Sequence, residues 1–142
     1  MVGTALSMRG HLAWMLGQTG PMPSLSQAAQ WPPAKLAVTA NAVQQEARAH
    51  AILGDGRACD DAFDRAEDLA SAAAETDGSA PPWMYFYNPD MLTMQRSLAQ
   101  LYLGREEQAS EFLESGLARM SPDQRTRWKR PQGSRARRGQ CV

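Results

Sequence analysis

Residues 88–120 read NPDMLTMQRSLAQLYLGREEQASEFLESGLARM, and this stretch decides the fold class. Asn88-Pro89-Asp90 is a helix start: Asn caps, Pro presets φ in the first turn, and Asp meets the positive end of the helix dipole. Met91, Met94, Leu98, Leu101 and Tyr102 then recur at helical spacing, and Gly104 breaks the run. Glu106 and Glu107 open a second helix at its positive end, and Ala109, Phe112, Leu113, Gly116, Leu117 and Met120 form its apolar stripe. The outline is helix, Gly, helix.

The same outline appears twice upstream. Val43, Ala47, Ala51 and Leu53 mark one face of a helix opened by Pro32-Pro33 and ended by Gly54-Asp55. Cys59, Ala62, Phe63, Ala66, Leu69, Ala70 and Ala73 stripe the helix that follows. The first unit is plainer: Leu6, Gly10, Ala13, Trp14 and Leu16 suit a helix, Gly17 to Pro21 form a turn, and a short helix falls around Ser24 to Gln30. The breaks at Gly17, Gly54 and Gly104 are 37 and 50 residues apart, so the second interval holds an insertion of about a dozen residues. Part of it, Thr76 to Pro82, is a loop; Trp83-Met84-Tyr85-Phe86-Tyr87 follows between two proline breaks. No stretch alternates with period two, which excludes a sheet. The expectation is an all-α array of about three antiparallel helical hairpins.

The 142 residues suit one domain, and 43% hydrophobic with 21% charged residues is a globular composition. No apolar run is long enough to span a membrane, and two cysteines, Cys59 and Cys141, do not make a disulfide framework. The N-terminus lacks the charged start of a signal peptide, which points to a reduced, cytoplasmic setting. The zero net charge conceals a division. Residues 1–124 carry eight Lys/Arg against fifteen Asp/Glu, whereas residues 125–142 carry seven Lys/Arg and no acid. The expected organisation is therefore a helical domain over 1–124 and a basic, disordered tail over 125–142.

Few residues invite chemistry. His11 and His50 lie on first helices with no metal-spaced partner, and CxxC, HxxxH and HExxH are absent. Cys59 fills a small-residue packing slot and is expected to be an inert thiol. Asp60, Asp61, Asp64, Glu67 and Asp68 have the spacing of a solvated helix face, and no nucleophile or oxyanion donor accompanies them. Phosphate-cradling glycine loops are missing. The chain is expected to be non-catalytic, without cofactor or metal. The aromatic segment admits two readings: it packs the long loop onto units two and three, or it supplies binding anchors. In the second reading Tyr85, Tyr87, Asn88 and Arg96 join Gln44, Gln45, Arg48 and Gln95 on a face that receives a protein or peptide, or a second copy of the chain.

These units resemble tetratricopeptide repeats. Gly10, Ala47 and Ser97, each seven residues before a Gly break, match that family's small first-helix residue. Cys59 and Ala109 match its small residue five places after the break, and Phe63 and Leu113 its large residue four further on; Met22 and Ser26 depart from both. The strings MRGHLAWMLGQTG, QQEARAHAILGD, PPWMYFYNPDMLTMQRSLAQLYLG and EEQASEFLESGLARMSPDQR further resemble the C-terminal helical-repeat region of actinomycete transcription regulators with a Cro/repressor-type helix-turn-helix. The resemblance implies a regulatory or oligomerisation fragment of such a regulator, without its DNA-binding half.

The pattern lapses near Arg127. Ser121-Pro122-Asp123-Gln124 is a helix start with no apolar stripe after it, as a truncation or reading-frame shift would produce, and a non-functional gene remnant is then one alternative. Phe112, Leu117 and Met120 are expected to be exposed for want of a following helix. Another alternative is nucleic-acid binding through the basic tail, which would be weak and salt-sensitive.

Overall fold

A computed structural model of the chain describes residues 2–30, 35–76 and 89–129. Among these residues there are seven helices and no strand: α1 Val2–Met15, α2 Met22–Ala29, α3 Leu36–Ile52, α4 Gly56–Glu75, α5 Pro89–Tyr102, α6 Glu106–Arg119 and α7 Pro122–Lys129. The all-α expectation holds. Pro32-Pro33, the segment Trp83–Tyr87 and Asn88 lie outside the described residues.

Three breaks in the chain share one geometry. Gly17, Gly54 and Gly104 have φ of 70°, 82° and 71°, the left-handed region that a Cβ disfavours. At each, the glycine N–H donates three residues back and the next residue's N–H donates five back: Gly17 to Trp14 and Gln18 to Ala13, Gly54 to Ala51 and Asp55 to His50, Gly104 to Leu101 and Arg105 to Gln100. This is the Schellman arrangement, which satisfies the last carbonyls of a helix and turns the chain sharply. Asp55 then caps α4, its Oδ1 accepting from the Ala58 N–H at 3.0 Å.

The turns return each helix onto the one before it. Thus α1 packs on α2, α3 on α4 and α5 on α6, while α3 also touches α1, α2 and α5. The main core is made largely of alanine. Ala40, Val43, Ala47 and Ala51 of α3 meet Cys59, Ala62, Phe63, Ala66 and Ala70 of α4, with Leu92 and Ala99 of α5 closing it. Small side chains let the helix axes approach closely, and Phe63 is the bulkiest fully buried side chain among them. The positions seven before each glycine behave alike. A Cβ at Gly10 would sit 3.2 Å from Gln45 Oε1. Ala47 is fully buried. Ser97 is buried and donates its hydroxyl to the Ala109 carbonyl at 2.6 Å. Met22, Cys59 and Ala109, five after each glycine, are all buried.

Several apolar expectations need correction. Leu16, Leu53 and Leu101 are 63%, 55% and 54% exposed; each sits at the helix end that leads into a glycine turn. In α5 the buried residues are Leu92, Met94, Ser97, Ala99 and Gln100, a broader arc than the expected stripe, since α5 contacts α3, α4 and α6 together. Leu113 is 38% exposed, while Phe112, Leu117 and Met120 are half-buried rather than exposed.

The boundary at 124/125 is also crossed. α7 follows the start at Ser121 and runs to Lys129. Arg125 folds back to donate to the Met120 carbonyl at 3.1 Å and the Ala118 carbonyl at 3.2 Å, tying the helix to the end of α6. Residues 130–142, with Cys141, lie outside the described residues. Among the described residues no helix is long and apolar enough to cross a membrane.

Gly54→Ala tests the turn. Nothing lies within 4 Å of the added Cβ, so the whole effect is conformational. A loss of about 1–2 kcal/mol in urea unfolding is expected, with an unchanged m-value.

Candidate functional site

The centre of α3 is unusually polar for a buried helix. Gln44, Gln45, Glu46 and Arg48 are all less than one-tenth exposed. Residues one apart on a helix point about 100° apart, so these side chains serve different neighbours. Gln45 turns toward Gly10 of α1, and its Oε1 has no hydrogen-bond partner. Glu46 turns toward α2 and α4, where it accepts from Gln30 Nε2 at 2.6 Å and Gln27 Nε2 at 3.2 Å and lies 3.3 Å from Arg65. His50, one turn along, stands 3.5 Å from the same carboxylate. Burial pushes the Glu46 carboxyl up, but the Gln30 and Gln27 donors, the Arg65 charge and His50 together hold it below the usual range.

Gln44 and Arg48 face the other way, toward α1 and α5. The Arg48 guanidinium carbon lies 4.5 Å from the Trp14 ring centroid. Trp14 Nε1 donates to the Tyr102 hydroxyl at 3.2 Å, and His11 rests against the Trp14 ring at 5.3 Å. Arg48 Nη2 donates to Gln95 Oε1, which also accepts from Gln44 Nε2 at 3.4 Å. Arg48 Nε is buried without a partner. Burial pulls the Arg48 pKa down, with Tyr102 opposing; burial and the Arg48 charge also lower that of His11, favouring its neutral form. One cluster thus joins α1, α3 and α5.

Arg96 does not belong to it. It lies on the other side of α5, where Nη1 donates at 2.9 Å to both Asp64 and Glu67 of α4. Its guanidinium covers Phe112 of α6 at 4.9 Å and reaches Phe63 at 5.7 Å. Burial lowers the Arg96 pKa, but Glu67 and Asp64 outweigh it and the net shift is upward. The side chain is a clamp between α4, α5 and α6: its Nη1 is taken by both carboxylates, while its Nε is buried without a partner among the described residues.

The expected eight-residue face is therefore divided. Gln44, Arg48 and Gln95 come together; Gln45 and Arg96 point elsewhere; Tyr85, Tyr87 and Asn88 lie outside the described residues. The structure adds His11, Trp14 and Tyr102. One signal for them was available: His11 and Arg48 both stand six residues before a Gly break.

The acidic row of α4 also differs from expectation. Asp60 accepts from Gln100 Nε2 at 3.1 Å and Arg105 Nη1 at 2.9 Å, and Asp64 and Glu67 hold Arg96. These three carboxylates form a seam to the following helices, while Asp61 and Asp68 face solvent. Among the described residues no group of His, Cys, Asp and Glu has the arrangement of a metal site. Cys59 is buried, and desolvation together with Asp60 raises its thiol to about 11, far from the thiolate a nucleophile needs. A cavity of about 290 Å³ opens among α4, α5 and α6, where Arg119 is already paired with Asp90 and accepted by Thr93.

Comparison with known protein families, curated proteins and solved structures finds no match to this chain.

The Glu46 network has a pH signature. Its folded pKa lies below the ordinary 4.5, so its stabilisation is complete above that value and is lost as pH falls through the folded pKa. Glu46→Gln is expected to cost about 1–2 kcal/mol at neutral pH and to flatten the acid limb of a stability–pH profile.

Proposed function

We propose that the chain is a non-catalytic helical-repeat interaction module whose first helices, α1, α3 and α5, present the face that receives a protein or peptide partner. The cluster of Arg48, Trp14, Gln95 and Tyr102 carries this reading, because it draws a charged group, two aromatics and amides from all three helices to one place. Aromatic and arginine side chains are the usual anchors of binding surfaces. Tyr102 is 44% exposed and stands on the rim.

The recurrence of glycine turns and small-residue contacts at fixed offsets supports a tetratricopeptide-like arrangement of three hairpins. The sequence resemblance to actinomycete helix-turn-helix regulators gives this module a place: the regulatory or assembly portion of such a protein, acting in the cytoplasm. The buried, high-pKa Cys59 accords with a non-catalytic role.

Peptides selected by display against the full chain test the reading. Tyr102→Ala is expected to weaken the selected peptides about tenfold, near 1.4 kcal/mol, while helical circular dichroism is kept. Peptides indifferent to this substitution, whose binding collapses when salt is raised, would place recognition in the basic C-terminal segment instead.

A further inference from the structure

Arg48 differs from the chain's other buried or paired arginines. Arg65, Arg96, Arg105 and Arg119 each lie within 4 Å of a carboxylate: Glu46, Asp64 with Glu67, Asp60 and Asp90 respectively. Arg48 is only 6% exposed, yet no carboxylate among the described residues stands on it. A buried cation without a counter-charge is costly, and a ring face with one amide oxygen offsets little of that cost. Its Nε is buried and unpartnered among the described residues, as is that of Arg96, so what sets Arg48 apart is the missing carboxylate.

The Gln95 carboxamide oxygen marks where an anion fits. It accepts from Arg48 Nη2 and from Gln44 Nε2, so two donors converge on one neutral acceptor. Among the described residues the Gln95 nitrogen has the Met91 sulfur at 3.8 Å, and the side chain is half-buried. We propose that Arg48 is the receiving site for one carboxylate of a peptide partner, seated in place of the Gln95 Oε1 and bonded by Arg48 and Gln44. The inference rests on the reading of α1, α3 and α5 as the partner face and names the chemistry that face recognises.

A carboxylate fits better than a phosphate. The cluster holds one positive charge, because His11 beside Arg48 favours its neutral form. A monoanion cancels that charge, whereas a dianion would leave buried negative charge unpaired. The planar guanidinium and the planar carboxylate also pair two bonds at a time, which would engage the idle Nε.

The test uses the full chain labelled with ¹⁵N-arginine, with the Arg48 Nε–H resonance identified by its absence from Arg48→Met. Sodium acetate is expected to shift that resonance saturably, and sodium chloride at equal ionic strength to leave it in place. Three N-acetylated alanine tripeptides then separate the sources of the carboxylate: one with a free C-terminus, one amidated, and one amidated with a central glutamate. Movement by the first or third, with the second silent, supports the site and says which carboxylate it prefers. Equal movement by all three, or by none, overturns it.

Gln95→Glu supplies the carboxylate from within. It is expected to raise Tm by a few degrees and abolish the acetate response; a lowered Tm with the response intact overturns the proposal. Displayed peptides distinguish the two levels of the argument. If they perturb the Gln44 and Gln95 side-chain amides without carboxylate selectivity at Arg48, the partner face stands and the carboxylate site falls. If they perturb neither, both fall.

Discussion

The left-handed turns at Gly17, Gly54 and Gly104 govern how each helix returns onto the one before it. A Schellman turn spends one positive-φ residue to satisfy the helix's final carbonyls, and the chain leaves it already pointing back. Close return is possible only where side chains are small, and Gly10, Ala47 and Ser97 stand there together with Ala109 and Cys59. The Ser97 hydroxyl shows how tight the approach is, since it reaches the Ala109 carbonyl of the partner helix directly. The alanine-rich core follows from that constraint. Among the small side chains between α3 and α4, Phe63 is the bulkiest that is fully buried.

Close packing of helices by alanine buries less apolar area than leucine would, and charge pairs also run between the helices. Asp60 with Arg105, and Asp64 and Glu67 with Arg96, all run from α4 to the helices that follow it. Glu46 does the same between α2, α3 and α4. Pairs this exposed add little stability, but a helix displaced by one turn would leave each charge unmatched. Arg48 is the exception to the pattern. Its surroundings are aromatic and amide, and no carboxylate among the described residues stands on it.

Much of the fold was legible from local pattern. The α5 start at Pro89-Asp90, the three glycine breaks and the stripe from Cys59 to Ala73 follow from dihedral preference and helical period, which act within a few residues. The site was less legible. Gln44, Arg48 and Gln95, expected on one face, do hydrogen-bond one another, whereas Arg96, expected with them, pairs with Asp64 and Glu67 of α4 instead. His11, Trp14 and Tyr102 went unassigned because they come from distant parts of the chain and meet only when α1, α3 and α5 lie side by side. Past residue 124 the chain continues as α7, which lacks an apolar stripe and is tied by Arg125 to carbonyls at the end of α6.

By itself the sequence determined the helical class, the turns and the small residues that allow close approach, because each depends on the backbone preference or size of a single residue. Tertiary structure decided which polar groups are buried and which charges are paired. Gln44, Gln45 and Arg48 are expected to offer polar contacts to a partner, yet α3 is surrounded by α1, α2, α4 and α5, and these three and Glu46 are buried. Whether a charged side chain lies in water or beneath another helix depends on what packs over it, and no property of the residue itself carries that information.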